Sequence, residues 1–129
     1  MNILFLMKVY DVGGIEVVAA TLAGAFEHHG HHVVIATFKA PDKLTVARTD
    51  PRVKIYTLGD YKCSSKSVSS LRNILVQHQI QVVINQWGLP LVHFKKLNKA
   101  KEGLDIKTIA VYHNQIYTNA RIKDVEIAL

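Results

Sequence analysis

The chain has 129 residues, 49% of them hydrophobic and 20% charged, and a formal net charge of +6. That length suits one domain with its own core, and the balance of apolar to charged residues excludes a disordered or low-complexity chain. The longest apolar run, Ile3–Met7, falls far short of the roughly 20 residues of a membrane span.

A single cysteine, Cys63, excludes an internal disulfide and fits a reducing compartment. Met1–Lys8 has no basic stretch ahead of its apolar residues and no small-residue cleavage site behind them, so it reads as structure rather than as a secretory leader. A cytoplasmic location is the expectation. The basic excess is uneven. Residues 1–38 carry a net −2, residues 39–72 a net +5 and residues 95–107 a net +3, while the remainder balances. Such clusters attract phosphate-bearing partners.

In chain order, Asn2–Val9 is short, continuously apolar and followed by glycines, the pattern of a central strand buried on both faces. Helical spacing then runs from Ile15 to His29, with Ile15, Val18, Ala19, Leu22 and Phe26 predicted on the buried face. Gly30 suits the end of that helix. Val33–Phe38 reads as a second strand, and residues 39–52, with Pro41, Pro51 and many charges, as a loop. Val53–Leu58 is a third strand, Ser67–Gln79 a helix, and Gln81–Asn85 a fourth strand. Pro90 can start a helix over Leu91–Lys101, which Gly103 ends. Ile106–Tyr112 is a fifth strand, and a last helix is predicted from Ala120. Strands alternating with helices imply an α/β, Rossmann-like doubly wound domain with a mainly parallel sheet. Ligands in such folds sit beyond the carboxyl ends of the strands. That points to the loops at 10–14, 39–45, 59–66, 85–90 and 113–119.

The first of these loops carries Gly13 and Gly14 between a strand and a helix start. Their bare backbone and the helix N-terminus suit a diphosphate, although the loop is neither the GxGxxG fingerprint nor a Walker A loop. Glu16 reads as a favourable first-turn carboxylate. His28, His29, His31 and His32 straddle a helix end and a strand start, so their side chains diverge, and no metal site is expected from them. Cys63 lies beside Lys62 but has no histidine near in sequence to activate it. His113 follows a strand directly, where an imidazole can bond a sugar hydroxyl or stabilise developing charge. Asn85, Gln86 and Trp87 offer two amides and a flat ring at another strand end, a combination that suits carbohydrate and also suits a core.

The run Gly13-Gly14-Ile15-Glu16, its helix ending in Gly30-His31-His32-Val33, and the strand Ile106–Tyr112 followed by His113-Asn114 together resemble a GT-B fold retaining glycosyltransferase of family 4. The resemblance implies a two-domain enzyme that uses a nucleotide-activated sugar, with no further cofactor. On that likeness the chain is the N-terminal, acceptor-side domain. Gly13 and Gly14 would lie against the donor diphosphate and near the acceptor, and His113 would act at the transferred sugar. Tyr10, Asn85, Gln86, Trp87 and Asn114 are the acceptor-binding candidates. The acceptor would be a glycan or a lipid-linked glycan of polysaccharide or envelope biosynthesis. The family's second domain, which holds most of the donor nucleotide, has no counterpart in these residues. The chain is therefore expected to stop within its last helix and to be inactive alone, its partner being the C-terminal domain of the same protein. Lys95, Lys96 and Lys99, mixed with Leu91, Val92, Phe94 and Leu97, are candidates for contact with an anionic membrane face.

A non-catalytic α/β module for a phosphate-bearing ligand is the alternative reading. A receiver-type module lacks the acidic cluster it needs. A nucleic-acid partner is disfavoured because the basic segments carry no recognition motif.

Overall fold

The computed structural model describes residues 1–10, 13–59, 65–86 and 91–111. Nine elements alternate along the chain: β1 (Asn2–Met7), α1 (Gly14–His28), β2 (His32–Thr37), α2 (Lys43–Arg48), β3 (Lys54–Thr57), α3 (Ser65–Gln77), β4 (Val82–Asn85), α4 (Leu91–Ala100) and β5 (Lys107–Ala110). The strands form one parallel sheet in the order β3-β2-β1-β4-β5. This is the α/β, Rossmann-like arrangement the alternation predicts. The chain builds outward from β1 to β3, then crosses back to β4 on the other side of β1. The order therefore reverses between β1 and β4.

The central position of β1 explains its sequence. Ile3 to Met7 are all buried because helices cover both faces of the strand. Leu4 and Leu6 join Val34, Ala36, Val83, Leu71 and Leu75 under α3, with Leu97 and Ala100 of α4. Ile3, Phe5 and Met7 join Val33, Ile35, Ala19 and Ala23 under α1. Burying each large apolar side chain contributes about 1.5–3 kcal/mol, so these two layers dominate stability. On α3, Val68, Leu71, Ile74 and Leu75 are buried.

The structure corrects two expectations. The inward face of α1 is Glu16, Ala19 and Ala23, with Ile15, Ala20 and Phe26 partly buried. Val18 and Leu22, predicted inside, are 44% and 39% exposed. Ala19 and Ala23, both fully buried, are small enough to bring the helix close to the sheet, which rotates the larger residues outward. The segment at 39–52 is also more than a loop. It contains the six-residue α2, whose N-terminus is capped by Asp42 Oδ2 accepting from the amides of Leu44 (2.9 Å) and Thr45 (3.2 Å).

Gly30 takes φ +89° just after α1, and Gly103 takes φ +76° after α4. Both are the left-handed turns that glycine tolerates best. Arg72 of α3 reaches across to α4, its Nη1 donating to the carbonyls of Ala100 (3.1 Å) and Glu102 (2.6 Å). That satisfies carbonyls a helix end leaves without internal partners. No described helix is long and apolar enough to cross a membrane.

Candidate functional site

The reversal of strand order between β1 and β4 opens a crevice at the carboxyl end of the sheet, where ligands of such folds bind. Leu6 pairs with Asn85 across these two strands, and the Gln86 amide donates to the Leu6 carbonyl at 3.0 Å. The loop after β1 and the segment after β4 therefore leave the sheet side by side. β5 follows on the same edge, with the Val111 amide donating to the Asn85 carbonyl at 3.0 Å. The segments predicted at 10–14 and 85–90 thus follow neighbouring strands.

The residues expected at the site take distinct places. Tyr10 is fully buried. Thr49 Oγ1 donates to the Thr45 carbonyl at 2.8 Å, so the Tyr10 hydroxyl donates to Thr49 Oγ1, 2.6 Å away. Burial pushes the Tyr10 hydroxyl pKa up, and the Glu16 charge adds to this against the lowering effect of Thr49. Tyr10 thus anchors the end of β1 to the α2 segment from inside, and the Asp42 amide, donating to the Tyr10 carbonyl at 2.9 Å, reinforces that joint. Asn85 and Gln86 are 2% and 4% exposed and lie at the carboxyl end of β4, beside Leu6 of β1. Trp87, His113 and Asn114 fall outside the described residues, as do Cys63 and the helix expected from Ala120.

The two glycines differ. Gly13 is the N-cap of α1, in an extended conformation open to any residue, and makes no side-chain cap. A Cβ there would come within 2.5 Å of Glu16 Oε2. Glycine at 13 makes room for the Glu16 carboxylate. A Cβ on Gly14 would meet nothing within 4 Å. Gly14 is exposed at the first position of the helix, so the packing within the fold places no demand for glycine there.

Glu16, read from the sequence as a first-turn carboxylate, stands in the first turn of α1, three residues past the N-cap. The residue is 9% exposed, and its Oε2 lies over the Gly13 backbone. Thr37, the last residue of β2 and paired with Met7, is fully buried, and its hydroxyl has no partner among the described residues.

The histidine run divides as its spacing suggests. His29 Nδ1 lies 2.8 Å from the Ala25 carbonyl, His31 Nδ1 lies 2.7 Å from the Met1 amino group, and His32 Nε2 lies 3.1 Å from His78 Nδ1. Among the described residues no group of three or more His, Cys, Asp or Glu side chains could hold a metal ion. In α4, Lys95 and Lys99 are exposed, while Leu97 and Ala100 pack into the core beneath α3.

A family model, Glycosyltransferase Family 4, matches residues 12–127, nearly the whole chain. The chain belongs to Glycosyltransferase Family 4. The match starts at the edge of the Gly13-Gly14 turn and spans all the crevice segments after β1, so the resemblance read from both ends of the sequence holds across the domain. No curated protein matches the chain. Family membership and the all-parallel sheet agree on the N-terminal domain of a GT-B glycosyltransferase.

Proposed function

We propose that this domain is the acceptor side of a glycosyltransferase that moves a sugar from a nucleotide-sugar donor to a glycan or lipid-linked acceptor. The observation that carries this reading is Gly14. It opens the 15-residue helix α1 at the reversal point of the sheet, without a side-chain cap, and the space its Cβ would fill is open. A helix N-terminus offers backbone amides and a positive dipole end to an anion. A missing side chain lets a diphosphate reach them.

In this reading Gly13 and Gly14 lie against the donor diphosphate and close to the acceptor. Asn85 and Gln86 shape the floor, and Trp87 and Asn114 complete the acceptor side. His113, two residues beyond the Val111 bond to β4, contacts the transferred sugar. The donor nucleotide is held chiefly by a C-terminal domain of the same protein. The nucleotide sugar is the only co-substrate, and the work is cytoplasmic. Lys95, Lys96 and Lys99 would meet an anionic membrane face when the acceptor is lipid-linked.

Titration of the chain with UDP and GDP, followed by amide chemical shifts, tests the reading. The Gly14 amide should shift, and Gly14→Val should weaken binding roughly tenfold or more, the loss of two amide contacts to an anion. The melting temperature of Gly14→Val should stay close to that of the parent, since a Cβ at 14 meets nothing within 4 Å among the described residues. Equal affinity in parent and variant would overturn the assignment of this turn.

A further inference from the structure

The outer side of α1 is apolar as well as the inner one. From Val17 to Phe26, between Glu16 and Glu27, the helix carries no charged residue. Ala19 and Ala23 take the inward positions, and Val17, Val18 and Leu22 are exposed together with Thr21 and Ala25. A helix that is hydrophobic all round is ordinarily covered on both sides. α2 packs beside it, and a Cβ on Gly24 would lie 3.7 Å from Asp50 Cβ just past the end of α2. α2 adds Leu44 and Val46, also exposed, with the exposed Lys43 and Arg48 at its two ends.

The charges around this surface are sorted by burial. Among the described residues before Gly59, every exposed charged side chain is a cation: Lys8, Lys39, Lys43, Arg48, Arg52 and Lys54. The acids Glu16, Glu27, Asp42 and Asp50 are buried or partly buried. Asp42 and Glu27 accept from backbone amides, and Asp50 accepts from Arg52. Pairing this surface with a second copy of itself brings like charges together, whereas anionic lipid headgroups complement them. Apolar side chains beside cations suit the boundary between headgroups and acyl chains.

We infer that the outer surface of α1 and α2 docks on an anionic lipid bilayer, with Val17, Val18, Leu22, Leu44 and Val46 entering the headgroup region and Lys43 and Arg48 meeting lipid phosphates. This surface is distinct from Lys95, Lys96 and Lys99, because α4 packs on the opposite face of the sheet and its described apolar residues, Leu97 and Ala100, belong to the core. The inference rests on the glycosyltransferase reading for its use: α1 starts at the crevice, so a bilayer against Val17 and Val18 brings a lipid-linked acceptor to the mouth of the site.

Flotation of the 129-residue chain with vesicles of phosphatidylcholine, with and without phosphatidylglycerol, tests this. The chain should bind the mixed vesicles, bind phosphatidylcholine alone roughly tenfold more weakly, and lose affinity as salt rises. Lys43→Gln with Arg48→Gln should weaken binding roughly tenfold or more. Leu22→Ser with Leu44→Ser should weaken it to a similar degree, because less apolar area enters the bilayer. All four positions are exposed, so melting temperatures should stay near that of the parent, and Val17→Ser with Val46→Ser serves if the leucine variant fails to fold. Binding unchanged in the leucine variant overturns the inference, since attraction by charge alone responds only to the cation variant. So does a loss confined to Lys95→Gln with Lys99→Gln, which assigns the membrane to α4. A chain that binds no anionic vesicle overturns it as well, as does self-association that Leu22→Ser abolishes in a chain that ignores vesicles. In each of these cases binding of UDP or GDP at Gly14 decides the glycosyltransferase reading separately.

Discussion

Gly13 and Glu16 are coupled through a single contact, which makes them separable by experiment. The backbone at 13, with φ −173° and ψ 173°, is open to alanine, so Gly13→Ala meets no conformational penalty. Among the described residues the obstacle is Glu16 Oε2, the far end of a flexible side chain. The methyl group should therefore displace the carboxylate rather than unfold the helix. Gly13→Ala is expected to keep the parent's melting temperature to within a few degrees as Glu16 moves aside, and a much larger drop would show that the Glu16 side chain cannot yield. Tyr10 shows a different kind of dependence. Its ring was legible as a candidate from its place after β1, but nothing in the local sequence says that Thr49, thirty-nine residues on, takes its hydroxyl.

Among the elements, α2 stands out because it is held by its cap and its two buried threonines rather than by a broad apolar face. Thr45 and Thr49 are buried, while Leu44 and Val46 are 49% and 39% exposed. Six residues are too few for propensity to sustain a helix alone. Asp42→Ala should then cost about 1 kcal/mol, the usual worth of a side-chain N-cap, and Asp42→Asn should recover most of it. Urea unfolding of the three proteins measures both changes. An alanine variant as stable as the parent would mean that the Thr45–Thr49–Tyr10 bonds suffice. Asp42 is a residue type that caps helices, while Pro41, Pro51 and the charge density give this segment the reading of a loop. The rotation of α1 was less legible. Apolar residues occur around much of that helix, so periodicity offers two faces, and the close approach that Ala19 and Ala23 permit selects one of them.

For the whole molecule, the pH response should come from the pole of the sheet opposite the crevice. His78, just past α3, lies 3.1 Å from His32 Nε2 and 2.8 Å from the Tyr56 hydroxyl, joining α3 to β2 and β3. Burial lowers the His78 pKa, with the charges of His32 and Lys54 adding to the effect. A histidine with a lowered folded-state pKa binds more protons unfolded than folded. Stability therefore rises with pH between the folded value and the ordinary 6.5, and falls as the pH drops through that window. The Asp50 carboxyl, which hydrogen bonds from Arg52 hold at about 2, contributes only well below this range. Urea midpoints should be lower at about pH 5.5 than at about pH 7.5, and His78→Gln should flatten the difference. Equal midpoints in the parent would show that the joint does not respond to protonation.

By itself the sequence determined the alternation of strand and helix, the burial of β1 on both faces, the glycine-ended helices and the likeness to family 4. Each of these rests on local spacing or on residues adjacent along the chain. The tertiary structure decided which loops meet. Only the crossing from β3 back to β4 sets Asn85 and Gln86 beside Leu6 at the end of β1, because parallel strands separated in sequence become neighbours through long crossovers that no local pattern encodes. It also decided that Glu16 lies buried and turned over Gly13. A first-turn carboxylate is ordinarily an exposed partner of the helix dipole, and here the close seat of α1 on the sheet covers most of its side chain and lays the carboxylate over Gly13.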